Sequence, residues 1–272
     1  MARLFMISEH SPFMMSFVYI TDKDNAVIID GGNPEDMAEL LEIIGDRTIS
    51  AWILTHPHFD HISGFISEIE KGDVLDRIDK IYYNFPTEEF VLLCEPDIKP
   101  CSIVDFNRIL PYIKTKSVIV TPELNIRIDE LTIDFLFCGG ERYKKCNPNM
   151  AVNESSIVFK VTGDNMKSVL FLGDLGPNGG RDLIKNCCDR IKSDFVQMSH
   201  HGHCGVTDEV YEIVSPEACL WCAPEWLYNE DDIEFEPELW GTWHQRKLME
   251  KLGVKQNFVS KDGTQEIPLR SV

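Results

Sequence analysis

The run His56–His61, with the sequence His-Pro-His-Phe-Asp-His, follows the short apolar segment Ile49–Leu54 without a linker. Apolar segments of this length are typical of strands buried in a sheet, and functional side chains collect beyond the carboxyl ends of such strands. The run offers four potential metal ligands, namely His56, His58, Asp60 and His61. Because imidazole suits zinc, iron and similar ions and carboxylate adds an oxygen ligand, the sequence predicts a metal site at this strand end.

Two later strands are predicted to end in the same way. Asp174 follows the apolar residues 169–173, and His200 and His201 follow residues 195–199. We expect all three strand ends to converge on one place, because functional residues of α/β sheets collect beyond the carboxyl ends of the strands.

The remaining chain alternates apolar strands with amphipathic helices in both halves. Strands are predicted at 3–7, 16–20, 26–29, 49–54, 81–83, 118–120, 125–128, 131–137, 156–161, 168–172, 194–198, 218–222, 256–260 and 265–269. Helices are predicted at 34–44, 62–70, 103–113, 180–191 and 240–252, with one more between 202 and 218. This plan predicts an α/β (α+β) protein built as an αββα four-layer sandwich, in which two mixed β-sheets pack face to face with helices outside.

We expect one domain over residues 1–272, because both halves share a plan of antiparallel strands followed by strand–loop–helix units, which suggests two sheets packed in a single layered structure. The segment 84–115 is less regular and rich in proline, apart from the predicted helix 103–113. It is a candidate lid, insertion or dimer contact, and the oligomeric state stays open.

The charge balance is strongly acidic, with 45 Asp and Glu against 26 Lys and Arg and a formal net charge of −19. Polyanion binding is driven by clusters of Lys and Arg, whereas this chain has only short pairs such as Lys144-Lys145 and Arg246-Lys247. We therefore expect a small-molecule substrate and disfavour long nucleic acid as a partner.

Cysteine usage and the N-terminus bear on the compartment. The nine Cys form no disulfide framework, which favours a reducing cytosol. Cys219 and Cys222 lack the second pair that a zinc ribbon needs, so we interpret them as part of a buried strand. Glu9 and His10 interrupt the first apolar stretch, and no apolar run approaches the roughly 20 residues of a membrane span. The prediction is a cytoplasmic protein without a membrane partner.

The run His56–His61 matches the His-x-His-x-Asp-His signature of the metallo-β-lactamase superfamily. Residues 30–32 (Asp-Gly-Gly), 173–174 (Gly-Asp) and 199–202 (Ser-His-His-Gly) fall in the order of that superfamily's motifs. The chain thus resembles a metallo-β-lactamase superfamily hydrolase over about residues 3–270. Residues 153–158 (Asn-Glu-Ser-Ser-Ile-Val), with the His-His-Gly sequence, look like the branch that contains the hydrolase domain of the DNA-uptake competence protein ComEC, a branch also similar to phosphocholine esterases.

The resemblance implies two divalent metal ions, with zinc favoured and manganese or iron as alternatives. The implied ligands are His56 and His58 for the first metal, Asp60 and His61 for the second, Asp174 as the bridge and His200 as the last ligand of the second metal. His201 could exchange with His200, and whichever is not a ligand would face the substrate. Asp30 would fix the tautomer of a ligand imidazole from behind.

This chain departs from the superfamily pattern at one position. Many relatives place a ligand histidine just before the strand that here begins near Ser156, whereas this chain has Val152, Asn153 and Glu154. The ComEC-like branch shows a similar absence, so we interpret it as a trait of that branch. Asn153 or water is expected to fill the position.

Two cations about 3.5–4 Å apart can share a hydroxide that attacks carbon or phosphorus. Asp60 is the candidate for orienting that nucleophile or relaying its proton, and His201 and His244 are candidates for hydrogen bonding to the oxyanion or leaving group. His244 could equally be a histidine on a helix surface. The predicted function is hydrolysis of a small phosphodiester, with hydrolysis of a carboxylic ester, lactone or thioester as the alternative. A non-catalytic metal-binding module is the alternative of another class.

Four of the five Trp, at positions 221, 226, 240 and 243, flank the acidic stretch 230–236. Aromatic faces beside carboxylates can hold a cationic group. The favoured interpretation is a solvated acidic loop beside tryptophans of the core, because charge runs are usually exposed.

Overall fold

Two seven-stranded sheets pack face to face in the computed structural model, which describes residues 1–95, 101–143, 150–229 and 241–270. The first sheet contains, in spatial order, β14 (Gln265–Ile267), β1 (Arg3–Met6), β2 (Ser16–Ile20), β3 (Ala26–Asp30), β4 (Ile49–Ile53), β5 (Ile81–Tyr83) and β6 (Ser117–Ile119). The second contains β13 (Gln256–Val259), β12 (Ala218–Trp221), β11 (Phe195–Gln197), β10 (Val169–Phe171), β9 (Ile157–Gly163), β8 (Leu131–Cys138) and β7 (Asn125–Ile128).

Each sheet is mixed in the same way. Strands pair antiparallel from β14 to β3 in the first sheet and from β7 to β10 in the second. The remaining pairs, from β3 to β6 and from β10 to β13, are parallel. The parallel strands matter for function, because their carboxyl ends carry the candidate ligands.

The described helices lie around these sheets. They are α1 (Met37–Ile44), α2 (Phe59–Lys71), α3 (Glu88–Cys94), α4 (Cys101–Ile113), α5 (Pro177–Cys187), α6 (Asp208–Val214), α7 (Glu225–Tyr228) and α8 (Thr242–Leu252). None of them is long and apolar enough to cross a membrane. The predicted layers, two mixed sheets with helices outside, are confirmed.

The alternation of side chains along the strands builds the core. Val27 and Ile29 belong to the apolar cluster between the sheets, which also contains Phe171 of the second sheet. Ile28, between them, points the other way and packs in the outer cluster with Phe65 of α2. This period of two is what a strand covered on both faces requires.

The segment 84–115 contains a helix that its irregular sequence did not predict. Helix α3 begins after Thr87, whose hydroxyl oxygen accepts a hydrogen bond from the Phe90 N–H at 3.3 Å. Helix α4 buries Phe106 and Ile109 in the same outer cluster as α2. Residues 96–100 lie outside the described part of the chain, and a lid or dimer role for the segment stays a prediction.

Helix α5 begins at Pro177, three residues before the predicted start, because a distant side chain caps it. Glu154 is fully buried, and its carboxylate accepts hydrogen bonds from the backbone N–H groups of Asn178 and Gly179 at 2.9 and 2.6 Å. Burial raises the pKa of Glu154 above its ordinary value, although these donors oppose the shift. A carboxylate at a helix N-terminus is stabilising, so Glu154 ties the segment before β9 to α5.

Replacing Glu154 with Ala should lower the free energy of unfolding by roughly 3 kcal/mol, because two buried N–H donors lose their acceptor. Urea denaturation followed by circular dichroism measures this change. Glu209→Ala is the matched control, since Glu209 is an exposed carboxylate in the first turn of α6. A loss as small for Glu154→Ala as for the control would contradict the capping role.

Candidate metal centre

Three strand ends deliver the candidate ligands to one place. The loop after β4 and the first turn of α2 carry His56, His58, Asp60 and His61. Asp174 follows β10, and the histidine pair follows β11. The side chains form two clusters, in each of which the potential ligand atoms lie within 4.8 Å of one another. The first cluster is His56, His58 and Asp174, and the second cluster is Asp60, His61, Asp174 and His201.

Asp174 is common to both clusters through a single oxygen atom. Its Oδ2 lies 3.7 Å from His56 Nε2 in the first cluster. The same oxygen lies 3.3 Å from His61 Nε2 and 3.6 Å from His201 Nε2 in the second cluster. Asp60 Oδ2 adds a second carboxylate oxygen, 3.0 Å from His201 Nε2. One carboxylate therefore stands between two groups of imidazoles.

Four imidazoles near Asp174 direct one ring N–H away from the clusters, to an acceptor behind them. The pairs are His58 Nε2 to Glu95 Oε2 at 2.9 Å, His61 Nδ1 to Asp30 Oδ2 at 2.7 Å, His200 Nδ1 to the His203 carbonyl at 2.8 Å and His201 Nδ1 to the Cys222 carbonyl at 2.8 Å. Carbonyl and carboxylate oxygens only accept hydrogen bonds, so each pair places the hydrogen on the outward nitrogen. The inward nitrogen can then present a lone pair, as in metal-binding histidines.

Asp30 supports the second cluster from inside the first sheet. It is fully buried and has a left-handed backbone conformation, with φ of 52°. Its carboxylate accepts hydrogen bonds from the N–H and the hydroxyl of Thr55, both at 2.7 Å, besides the one from His61. These contacts orient the His61 ring, as the resemblance implies for Asp30.

The carboxylates of Asp60 and Asp174 make the surroundings of the second cluster favourable for positive charge. Burial alone would raise the pKa of Asp174, but the imidazoles of His61, His201 and His56 outweigh burial and hold it well below its ordinary value. Burial alone would also lower the pKa of His61, but Asp174, Asp60 and Asp30 raise it well above the ordinary value. A cation at this place would be stabilised by the same carboxylates.

The donor set fits a divalent cation. His61 Nε2 and Asp174 Oδ1 are buried, and neither has a hydrogen-bond partner of acceptable geometry among the described residues. A buried polar atom without a partner costs about 1–3 kcal/mol, and a bound cation would satisfy both atoms. Two carboxylates and two imidazoles are a ligand set that zinc, manganese and iron accept.

Residues 12–126 match the family model described as the metallo-beta-lactamase superfamily. The chain also superposes on YhfI from Bacillus subtilis, described as a metallo-beta-lactamase fold protein, with a TM-score of 0.57 and 14% identity over 98% of this chain and 99% of that one. The protein has the metallo-β-lactamase fold. Two further solved structures share this fold.

Tm1679, described as a metal-dependent hydrolase of the beta-lactamase superfamily, has a TM-score of 0.54 and 10% identity, with all of both chains covered. CmlA, a diiron beta-hydroxylase from Streptomyces venezuelae, has a TM-score of 0.58 and 13% identity over 98% of this chain and 54% of that one. At these identities the likeness is one of fold, and it extends to proteins with different described activities.

Among curated proteins, an octanoyltransferase of Porphyromonas gingivalis is 27% identical over 176 residues, which cover 52% of this chain and 35% of that protein. This chain thus spans about a third of the length of the curated relative that it matches. The family model matches part of the chain, residues 12–126, and the solved structures show the metallo-β-lactamase fold. They do not bear out the ComEC branch, which stays a prediction.

The structure places His201, and not His200, in the second cluster. His201 is 1% exposed, whereas the His200 side chain is 18% exposed and its Nε2 lies 3.2 Å from Asn153 Nδ2. The implied arrangement gave this place to His200, with His201 able to exchange. The cause is a left-handed turn, with φ of 50°, 57° and 90° at His200, His201 and Gly202, which swings the second imidazole inward. Gly202 is required there, because a Cβ would lie 2.5 Å from the Trp221 ring.

His244 belongs to neither cluster. It lies on α8, where its Nε2 contacts both carboxylate oxygens of Asp208 at 3.0 Å, and its side chain is 38% exposed. The cavity above the clusters, about 150 Å³, is lined by Phe13, Phe59, Asn153 and His200 together with cluster residues, but His244 does not line it. This placement agrees with the interpretation of His244 as a histidine on a helix surface.

Several residues that support the clusters had no signal in the sequence. Glu95, at the end of α3, is 2% exposed and holds the outward nitrogen of His58. His203 stacks on His200 with ring centroids 4.4 Å apart, and burial lowers its pKa well below the ordinary value. The Phe13 ring packs edge-on against His201, with centroids 5.4 Å apart. These supporting residues follow no fixed spacing from the candidate ligands in the sequence, because they belong to other elements of the fold.

Residues 230–240, which include the acidic stretch and Trp240, lie outside the described part of the chain. Trp221 is buried, whereas Trp226 and Trp243 are exposed. The choice between a solvated acidic loop and a cation-binding surface therefore stays untested, but the expected core position is wrong for Trp226 and Trp243. Cys219 lies within β12 and Cys222 directly follows it, and both are buried free cysteines, as predicted for a buried strand.

Proposed function

We propose that the protein is a hydrolase of small phosphodiesters that works with two divalent cations. The observation that carries this proposal is the shared Asp174 carboxylate, which stands between two imidazole-rich clusters below a small cavity. Phosphatases and nucleases, which cleave bonds to phosphorus, are among the enzymes that use two-metal sites. The donor sets of the two clusters, and the buried atoms without partners, fit such a pair.

His56, His58 and Asp174 would hold one cation, and Asp60, His61, Asp174 and His201 would hold the other. When bound, the cations supply Lewis-acid activation of water and of the scissile group. The protein keeps the ligands in place through outer partners: Asp30 for His61, Glu95 for His58 and the Cys222 carbonyl for His201. The Phe13 ring beside His201 limits the access of bulk water to the second cluster.

The size of the cavity and the net charge of the protein favour a small substrate. The cavity of about 150 Å³ is below the roughly 300–1,000 Å³ of typical ligand pockets. The net charge of −19 repels a long polyanion, whereas a small phosphodiester brings one negative charge, which cations held by the two clusters would neutralise. The metal could be zinc, manganese or iron, and the diiron protein CmlA shares the fold.

A second candidate function is hydrolysis of a carboxylic ester, lactone or thioester. One observation favours it, namely the partial match to a protein named octanoyltransferase, whose name specifies an acyl group. The apolar rings of Phe13 and Phe59 in the cavity lining are compatible with an acyl chain. The same clusters would serve both reactions, so only a substrate panel separates them.

The test loads chelator-treated protein separately with Zn²⁺, Mn²⁺ and Fe²⁺ and measures hydrolysis of bis-p-nitrophenyl phosphate against a panel of lactones and thioesters. We expect metal-dependent turnover of the phosphodiester, and a loss of at least about 100-fold in Asp60→Ala, because the second cluster loses a carboxylate ligand. Asp46→Ala, at an exposed carboxylate, is the control and should match the wild type. Turnover of the acyl substrates alone would favour the second candidate, and no turnover by metal-loaded protein would favour a non-catalytic metal-binding module.

A further inference from the structure

The two clusters offer a cation different surroundings. The second cluster supplies two carboxylates and two imidazoles, all buried. The first cluster supplies two imidazoles and only the shared carboxylate of Asp174, and its His58 side chain is 15% exposed. Asp60 therefore gives the second cluster one negative charge that the first does not have. Fewer anionic ligands and greater exposure both weaken cation binding.

Glu95 ties Asn153 to the open side of the first cluster. Its Oε2 accepts the hydrogen bond from His58, and its Oε1 accepts one from the backbone N–H of Val152 at 3.4 Å. Asn153, the next residue, is 2% exposed and lines the same cavity as His58 and Asp174. An additional ligand for the first cluster from this side would come from position 153.

The two polar atoms of the Asn153 amide have different surroundings. Its Nδ2–H donates to His200 Nε2 at 3.2 Å, which occupies the inward lone pair of that imidazole. Its Oδ1 is buried and has no hydrogen-bond partner among the described residues. A neutral amide oxygen is a weaker ligand for zinc than imidazole or carboxylate. Neither Asn153 nor the engaged His200 thus replaces a full ligand.

We propose that the two metal sites are unequal, and that Asn153 sets the difference because it offers the first site a neutral amide in place of an imidazole or carboxylate ligand. This inference rests on the proposed two-cation site. The second cluster would bind its cation more tightly, and the first cluster, with fewer ligands, would bind its cation more weakly. The dissociation constant of the cation in the first cluster should be about 100-fold larger than that of the cation in the second cluster. Even the loss of an outer partner of a ligand costs roughly 10–100-fold in affinity.

The test is a titration of metal-free, full-length protein with Zn²⁺ in competition with a chromophoric chelator, which yields both dissociation constants without any substrate. The wild type should show one tight and one weak step. Asn153→His should tighten the weak step at least about 10-fold and leave the tight step unchanged. Asn153→Asp, which is isosteric with Asn and adds a carboxylate, should do the same if the larger imidazole does not fit.

Asn186→His is the matched control, because Asn186 lies exposed on α5. It excludes the trivial effect of an added histidine and should leave both steps unchanged. Two equal steps in the wild type, or an unchanged weak step in both Asn153 variants, would overturn the inference. The outcome is separate from that of the proposed function: unequal sites without turnover refute the hydrolase only, and turnover with equal sites refutes the inequality only.

Discussion

Asp174→Asn should lower kcat/KM for the phosphodiester by at least about 1,000-fold, which corresponds to roughly 4 kcal/mol of lost transition-state stabilisation. The variant should also lose most of its bound metal. The reason is that Asp174 Oδ2 is the one carboxylate oxygen common to both clusters, within 3.7 Å of an imidazole nitrogen in each. The surrounding imidazoles hold the pKa of Asp174 well below its ordinary value, so the group is a carboxylate at any assay pH near neutrality.

The substitution is isosteric, so it removes one negative charge and little packing. Steady-state kinetics and metal content by mass spectrometry measure the two effects, and thermal unfolding checks that the variant is folded. Asp164→Asn is the matched control, because Asp164 also follows a glycine but lies exposed in the turn between β9 and β10. A variant of Asp174 with wild-type activity and two bound metals would show that the shared carboxylate is not a ligand.

The layers of the fold were predictable because they follow from the order of apolar segments. Strands such as Ala26–Asp30 and Ile49–Ile53 are short and mostly apolar, which is what burial on both faces demands. Strands β4, β10 and β11 each end three residues before a candidate ligand, namely His56, Asp174 and His200. The convergence of His56, Asp174 and His201 follows from this topology, since β4 and β10 belong to facing sheets.

Features that depend on tertiary contacts could not be predicted. Helix α5 begins early because Glu154, from another part of the chain, caps it. Glu95 supports His58 only because α3 ends beside the loop after β4, and the acceptor for His201 is a backbone carbonyl. A carbonyl has no signature in the sequence, since every residue has one.

The assignment within the histidine pair depended on backbone conformation. If His200 and His201 continued the strand, alternate residues would point to opposite faces, and the sequence does not say which face meets the cluster. The left-handed conformation of both residues decides it, and such conformations cost about 1–2 kcal/mol per residue outside glycine. Strain of this size persists where surrounding contacts impose it, and it occurs often at functional sites.

Replacing His200 and His201 separately with alanine should have very different effects on activity and on metal binding. His201→Ala should lower kcat/KM by at least about 1,000-fold and abolish the tight metal-binding step, because a ligand of the second cluster is lost. His200→Ala should keep the tight step and lower kcat/KM by about 10-fold, since its Nε2 contacts Asn153 and lies 3.9 Å from Asp174 Oδ2. The same kinetics and zinc titration measure both variants.

Each variant is the control of the other, because each removes one imidazole from one of two adjacent left-handed positions, with φ of 50° and 57°. An effect of alanine on the turn itself would be similar in both, so a difference between them reports the position of the imidazole. Thermal unfolding of the two variants should agree within a few degrees. The reverse result, in which His200→Ala loses the tight step and His201→Ala keeps it, would return the ligand role to His200 and require the turn after β11 to reverse its two side chains when the cation binds.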